Sequence, residues 1–235
     1  MKIAGIGSTR PAKDWSWSYS KLKNYEVCPR KHYEVDLAKT AAETQSNDPD
    51  SPLMYGNRVH EAFKNTLLNG APLSKEMAHL QIWVDRVRNG PGELLVEQKY
   101  AIDRQFKSTT YFANNVWLRT IGDVVRVDRD IALVIDWKTG KVLEDSVQLM
   151  LMAQALFSHY PNLKRVRSEF VWLKEDCTTP EVFDKQELAD QWVELLPRIN
   201  ALENAHKTQT YPPKPGGLCK NYCPVQSCPY WKKGA

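Results

Sequence analysis

The stretch "VIDWKTGK", residues 134–141, ends an apolar run by placing Asp136 and Lys138 two residues apart. Side chains at i and i+2 share one face of a strand, so a carboxylate and an ammonium would stand together where a buried strand ends. As an isolated ion pair this gains little, because taking two charges out of water can cost more than their attraction returns. A site that binds a metal ion and a phosphate has a use for both. Asp123, in "TIGD", lies thirteen residues earlier, a natural offset for the neighbouring strand of a hairpin. His60 in "YGNRVHEAF", Glu97 in "LLVEQKY" and Gln148 just after the Asp-x-Lys strand are the further candidates.

Phosphodiester hydrolysis asks for such a set. Two carboxylates and a backbone carbonyl suit Mg²⁺ or Mn²⁺, which prefer hard oxygen ligands, and an imidazole nitrogen suits Mn²⁺ better than Mg²⁺. The cation neutralises charge on the scissile phosphate and activates water. A lysine beside it orients that water or stabilises the developing negative charge. Each residue also has an ordinary structural reading. Asp136 and Lys138 read as a strand-end ion pair, His60 as a partly buried helix histidine, Glu97 as an exposed strand residue and Gln148 as a helix cap. Their order along the chain is what joins them.

The elements that must position these residues are set by periodicity. "SWSYSKLKNYEVCPRKHY" opens with serines suited to capping and carries Tyr19, Leu22 and Tyr25 at helical spacing, with Pro29 breaking or restarting the helix after Cys28. The polar connector "TAAETQSNDPDSP" precedes two helices, "LMYGNRVHEAFKNTLLNG" closed by Gly70 and "SKEMAHLQIWVDRVRNG" opened by Ser74 and closed by Gly90. Three β-branched, turn-bounded runs, "ELLVEQKYAID", "NVWLRTIGDVVRVD" and "ALVIDWKTG", predict an antiparallel meander. Helical spacing returns in "EDSVQLMLMAQALFSHY", then a strand in "VRSEFVWLKE" and a helix in "DKQELADQWVELLPRINALENA". The order predicts an α/β fold with a central mixed sheet flanked by helices.

At 235 residues, 42% hydrophobic and 26% charged, the chain has the composition of a soluble globular domain large enough for one sizeable core. No apolar run reaches the roughly 20 residues that span a bilayer, and the start lacks a secretory h-region, so an intracellular, cytoplasmic protein is expected. A net charge of +4 permits a polyanionic partner without demanding one. The expected division is a flexible arm over 1–14, a catalytic domain over 15–212 and a cysteine-rich tail over 213–235.

Three of the five cysteines fall in "GLCKNYCPVQSC", as Cys219, Cys223 and Cys228, and a fourth, Cys28, stands in "YEVCPRKHY". In a reducing compartment such clustering points to metal rather than disulfides. Four thiolates fit Zn²⁺ or an iron–sulfur cluster equally. Cys177 matches neither group and is expected to be an unliganded thiol.

The motifs together resemble the PD-(D/E)XK nuclease superfamily, in particular its RecB-like branch, over residues 18–34 and 55–157 and again at the tail. "GNRVHE" resembles the family's G-x-x-[VL]-H-E helix, "TIGDVVRVD" its G-x-x-D strand, "IDWKTGK" its D/E-x-K-T-G and "VQLMLMAQAL" its Q-L-x-x-Y/M-A helix. One departure is that Gly122 stands directly before Asp123, where the family leaves one or two residues between. The resemblance implies a restriction-endonuclease-like core, with His60, Asp123, Asp136 and the Trp137 carbonyl as metal ligands. It implies Lys138 as the catalytic lysine and Gln148 positioning metal-bound water or DNA, with Glu97 and Glu61 as less certain members.

The cysteines are similar to the "iron staple" of some RecB-like nucleases, including CRISPR-adaptation and AddB-type ones, where one cysteine before the core and three after it hold a [4Fe–4S] cluster. The tail spacing here is C-x3-C-x4-C where C-x2-C-x5-C is usual. The resemblance favours that cluster over Zn²⁺, and it would clip the tail onto the N-terminal helix.

The resemblance thus implies a Mg²⁺- or Mn²⁺-dependent DNA exonuclease acting on single strands or duplex ends in recombination, repair or replication. It would work in a prokaryotic or phage-infected cell, with a recombination or replication protein as a further partner and homo-oligomerisation left open. Aromatic residues interleave with basic ones near the start, which makes Trp15, Trp17, Lys21 and Arg30 the candidate nucleic-acid contacts. The rival readings are a non-cleaving DNA-binding module and a zinc-tail interaction protein.

Overall fold

β-Branched alternation over residues 93–138 produces the expected meander. β1 (Glu93–Ile102), β3 (Leu118–Asp128) and β4 (Ile131–Lys138) pair antiparallel in that order. A two-residue strand β2 (Ser108–Thr109) adds to the outer edge of β1. The chain, known from a computed structural model that describes residues 15–42, 51–142 and 145–233, then crosses over through α5 (Val147–His159). It returns as β5 (Arg165–Trp172), parallel to β4. With a last strand β6 (Cys177–Asp184) the sheet is mixed and six-stranded, in the order β2-β1-β3-β4-β5-β6. The arm expected over residues 1–14 and most of the polar connector lie outside the described residues.

The outer strand β6 (Cys177–Asp184) is not among the strands read from the sequence. Its "CTTPEVFD" contains Pro180, which removes a ladder donor and masks a strand; on an edge the loss is tolerated, and Pro180 faces Glu169 of β5. Cys177, the first residue of that strand, is exposed.

Two layers cover the sheet. On one face α5 and α6 (Leu188–Thr208) bury Leu149, Met152, Leu156, Trp192 and Ile199 against Tyr100, Val125 and Val134. On the other, α3 (Pro52–Asn69) and α4 (Gln81–Arg88) bury Val59, Phe63, Val84 and Val87 against Val124, Ile135 and Trp137. α3 starts at Ser51, whose hydroxyl accepts from the Met54 amide, and stops at Gly70, whose φ of 69° only glycine adopts without cost. The helix expected to open at Ser74 begins as a 3₁₀ segment (Lys75–Leu80) and becomes α4.

The N-terminal strap behaves as the serines and Pro29 suggest. Ser18 caps α1 (Tyr19–Val27), Cys28 is extended, and Pro29 opens the short α2 (Pro29–His32), which continues as a π-helical turn over Tyr33–Leu37. Arg198 of α6 grips Glu26 of α1 through two hydrogen bonds of 2.6 and 3.0 Å. Lys23 reaches Asp145, which accepts from the Val147 amide at the start of α5. These contacts fix where α5 begins.

Trp17 is a correction. Its ring is 1% exposed, lies edge-on to Trp117 at 5.5 Å, and its backbone exchanges hydrogen bonds with Trp117 and Arg119. It packs the core and offers no face to a nucleic acid. Trp17→Ala is therefore expected to cost about 3–5 kcal/mol of unfolding free energy, read as a lower urea midpoint. Trp15 is half-buried against the same core, beside the His206 ring.

Candidate active site

The register shows how three strands deliver three acids to one place. Val96 pairs with Val124 and Gln98 with Gly122, so Glu97 stands opposite Asp123. Val124 pairs with Ile135, which puts Asp136 opposite Asp123 at the end of the β3–β4 ladder. Glu97, Asp123 and Asp136 form a row across the sheet. The ladder stops there because the Asp123 carboxylate takes over its next step. Asp123 Oδ2 accepts from the Trp137 amide at 2.8 Å.

At the same row the sheet changes faces. Leu95 and Tyr100 pack into the same core layer although their numbers differ by an odd count, as do Leu118 and Val125 on β3. Glu97 makes the change with a φ of 53°, a conformation that a non-glycine residue adopts at a cost on the order of 1–3 kcal/mol and that clusters at functional sites. The break lets residues of this row reach the helices on both sides of the sheet.

From the α3 side comes His60. Gly56 and His60 are one helical turn apart and face the end of β4 together. A Cβ on Gly56 would come within 2.9 Å of the Thr139 hydroxyl, so the glycine allows the close approach. His60 Nδ1 then lies 3.3 Å from Asp123 Oδ2. Ligand atoms of His60, Glu97 and Asp123 all lie within 4.8 Å of one another, the one such group of three among the described residues. Glu61 instead engages Lys64 and Asn65 on the outer surface of α3.

From the α5 side comes Gln148, in the first turn of the helix. Its amide donates to Asp136 Oδ1 at 2.7 Å, and its carbonyl accepts from Lys138 Nζ at 3.1 Å. Gln148 thus fixes the two residues of the Asp-x-Lys pair at once. Lys138 also lies against Asp136 Oδ2 and over the Phe170 ring, 4.9 Å from its centroid. Its ammonium is an ionic neighbour of that oxygen, yet no donor is aligned on it. Asp136 Oδ2 is a buried oxygen without a hydrogen bond.

The electrostatics of this cluster call for a cation. Burial pushes the Asp136 carboxyl up to about 6; Lys138 pulls it down and the Asp123 charge pushes it further up. Burial and then Asp123 raise Glu97 as well. Burial alone would lower His60, but hydrogen bonding and charge from Asp123, with Asp136 and Glu97 behind it, shift it upward. Two carboxylates and a histidine within 4.8 Å, with the Asp136 carboxylate opposite Asp123, make a donor set that could hold a hard divalent ion. Trp137 contributes a buried ring packed on Phe63 at 5.0 Å, which holds its peptide beside Asp136.

Stability should therefore depend on pH. A carboxyl raised in the folded state stabilises the fold fully below the unfolded value of about 3.9, and the contribution is lost as pH rises through about 6. In EDTA at pH 7.5, Asp136→Asn should therefore be more stable than wild type, by up to about 3 kcal/mol. The gap should narrow as pH falls through about 6 and close near about pH 4. Added Mn²⁺ should stabilise wild type and leave the variant unmoved in a thermal melt.

The four expected cysteines meet elsewhere. Cys28, Cys219, Cys223 and Cys228 line one cavity of about 480 Å³ between the α1–α2 junction and the tail. None is disulfide-bonded. Lys214 ties the tail to this junction, its amide donating to Cys28 Sγ at 3.3 Å and its ammonium to the Glu26 carbonyl at 2.8 Å. The short helix α7 (Leu218–Asn221) carries the chain from Cys219 round to Cys223, which accounts for the three-residue spacing between them. Burial raises the Cys223 thiol, the Val225 amide opposes it, and the other three sulfurs add to the rise. Arg30 lines this cavity while paired with Glu34, and Lys21 donates to the Ser16 carbonyl at 3.2 Å. Neither lies in the acidic row.

A family model described as "PD-(D/E)XK nuclease superfamily" matches residues 16–229. No curated protein matches the sequence. The solved structure titled "Crystal structure of SSO0001" aligns over 92% of this chain and 86% of its own, at 13% identity and a TM-score of 0.44. On the strength of the family match, which spans both the acidic row and the cysteine cavity, the chain belongs to the PD-(D/E)XK nuclease superfamily.

Proposed function

We propose that this nuclease is a Mg²⁺- or Mn²⁺-dependent DNA exonuclease whose tail is clipped to its N-terminal helices by a [4Fe–4S] cluster. The observation that supports the cleavage reading best is the meeting of His60, Glu97 and Asp123 within 4.8 Å, beside the pair of Lys138 with the buried Asp136. His60, Asp123, Asp136 and the Trp137 carbonyl would hold the ion, with Glu97 at its edge. A bound divalent cation supplies charge neutralisation at the scissile phosphate and an acidified water.

The chain's own groups do the rest. Lys138 presents its ammonium where negative charge builds on the phosphate. Gln148 bonds to both members of the Lys138–Asp136 ion pair and so fixes their common orientation. To hold the ion, His60 would present a neutral ring nitrogen, and Asp123, whose Oδ2 lies 3.3 Å from His60 Nδ1, would supply a carboxylate oxygen beside it.

All four cysteines line one cavity, and the resemblance of their pattern to the iron staple favours the cluster over zinc there.

Digestion of 5′- and 3′-labelled single- and double-stranded DNA under Mg²⁺ and Mn²⁺ tests the reading. Mononucleotides or short oligomers released from one labelled end support an exonuclease. Internal fragments from circular DNA would assign an endonuclease, and no cleavage with either ion would remove the catalytic reading. Action in recombination, repair or replication is the role this activity would serve.

A further inference from the structure

Beyond the acidic row, β1 and β3 continue with a face that is left partly open among the described residues. Tyr100, Ile102 and Leu118 point into the core under α5, so Lys99, Ile121 and Arg119 point the other way, to the side from which His60 enters the site. Lys99 is two residues past Glu97 and Arg119 four residues before Asp123. At about 3.3 Å per residue the two cations lie roughly 7 and 13 Å along the strands from the row. Lys99 is exposed, and Ile121 between them is 38% exposed.

The segment after β2 adds aromatic rings to the same face. Tyr111 lies under both cations, with Lys99 Nζ 5.8 Å and Arg119 Cζ 5.6 Å from its ring centre. Phe112 stands edge-on to Tyr111 at 5.1 Å and is 76% exposed. The loop presenting it is held in place. Arg119 Nε donates to the Tyr111 carbonyl at 2.8 Å, the Ala113 amide to the Thr110 carbonyl at 3.0 Å, and the Thr109 hydroxyl to Asn115 at 3.0 Å. A large apolar ring fixed in solvent beside the exposed Lys99 ammonium, continuous with the acidic row, is a surface complementary to one ligand chemistry. Arg119, bonded to Tyr111 and Ser16, holds the loop. Bases stack on such rings whatever their identity, and a free ammonium tracks the phosphates.

We infer that Phe112, Tyr111 and Lys99 form a track for an unpaired DNA strand leading into the acidic row, with one base stacked on Phe112. The inference rests on the nuclease reading for its direction but is tested without cleavage. Anisotropy of a fluorescein-labelled single-stranded oligonucleotide, measured in EDTA, compares wild type with Phe112→Ala, Phe112→Trp and Lys99→Ala, alongside a duplex of equal length. Phe112→Ala is expected to weaken single-strand binding about 5- to 150-fold. Phe112→Trp should restore it, and duplex binding should change less than about twofold. Lys99→Ala should flatten the salt dependence of single-strand binding, lowering its log–log slope by about 0.7.

A 2-aminopurine placed at successive positions should be quenched at one of them by wild type and by Phe112→Trp only. Unchanged single-strand binding in Phe112→Ala would overturn the track and assign the exposed ring to a protein partner. Equal losses on duplex and single strand would overturn its restriction to unpaired DNA. A wild type that binds in EDTA yet cleaves nothing with Mg²⁺ or Mn²⁺ would sink the nuclease reading and leave the track standing. The two claims therefore fail separately.

Discussion

Lys138→Ala is expected to lower Mn²⁺-dependent cleavage on the order of 10²- to 10³-fold, and Asp136→Asn to reduce it to background. The first figure is what loss of one preorganised charge stabiliser costs in an enclosed site. Lys138 makes its contacts with Gln148, Asp136 and the Phe170 ring, all at the site, so its removal leaves the two core layers intact. The second change removes the oxygen proposed above as a metal ligand and keeps the side chain's shape. Because Asp136 is buried beside like charge, the amide should raise the stability of the metal-free protein while it destroys activity. That opposition separates a catalytic carboxylate from a structural one, since a carboxylate kept for stability would lose both together. Gln148→Ala should fall between the variants, by releasing Asp136 and Lys138 from a common orientation.

The second large effect concerns the cysteines. Cys28→Ser should abolish absorbance near 400 nm in anaerobically purified protein and take iron from about four atoms per chain to near zero. Stability should fall with it. Cys28 and Cys219 are roughly 190 residues apart, and a covalent tie across a loop of that length is worth about 5 kcal/mol in chain-entropy terms. The tail has little else to hold it. Val225 is its one deeply buried apolar residue among 213–233, and most of its neighbours are exposed. Cys177→Ser is the matched control, since that thiol starts an edge strand away from the cavity and should change neither iron nor melting temperature. Wild type that carries stoichiometric zinc and no iron would contradict the cluster while leaving the acidic row untouched.

Strand alternation and hairpin offset made part of the site legible from residue order alone. The separation of Asp123 and Asp136 is a register statement, and the pairing of Val124 with Ile135 realises it. The Asp-x-Lys spacing likewise sets Lys138 beside Asp136. The position of Glu97 was harder. In "LLVEQKYAI" apolar and polar residues come in blocks rather than in strict alternation, so the residue types do not say where the backbone turns at Glu97 and exchanges the faces. β6 was hidden by Pro180, a residue that argues against a strand except at the edge where this one lies. Trp17 and Phe112 mark the limit of composition. An aromatic residue beside a lysine or arginine reads the same whether the ring packs inward, as Trp17 does, or is propped into solvent, as Phe112 is. Only the loop hydrogen bonds and the neighbouring strands distinguish them.

The most direct measurement is anomalous scattering at the manganese edge from crystals grown with Mn²⁺. One ion bound between the His60 imidazole and the carboxylates of Asp123 and Asp136, with the Lys138 ammonium beside it, is the predicted result. Density for the ion at another place, or none while the protein cleaves DNA with that metal, would contradict it.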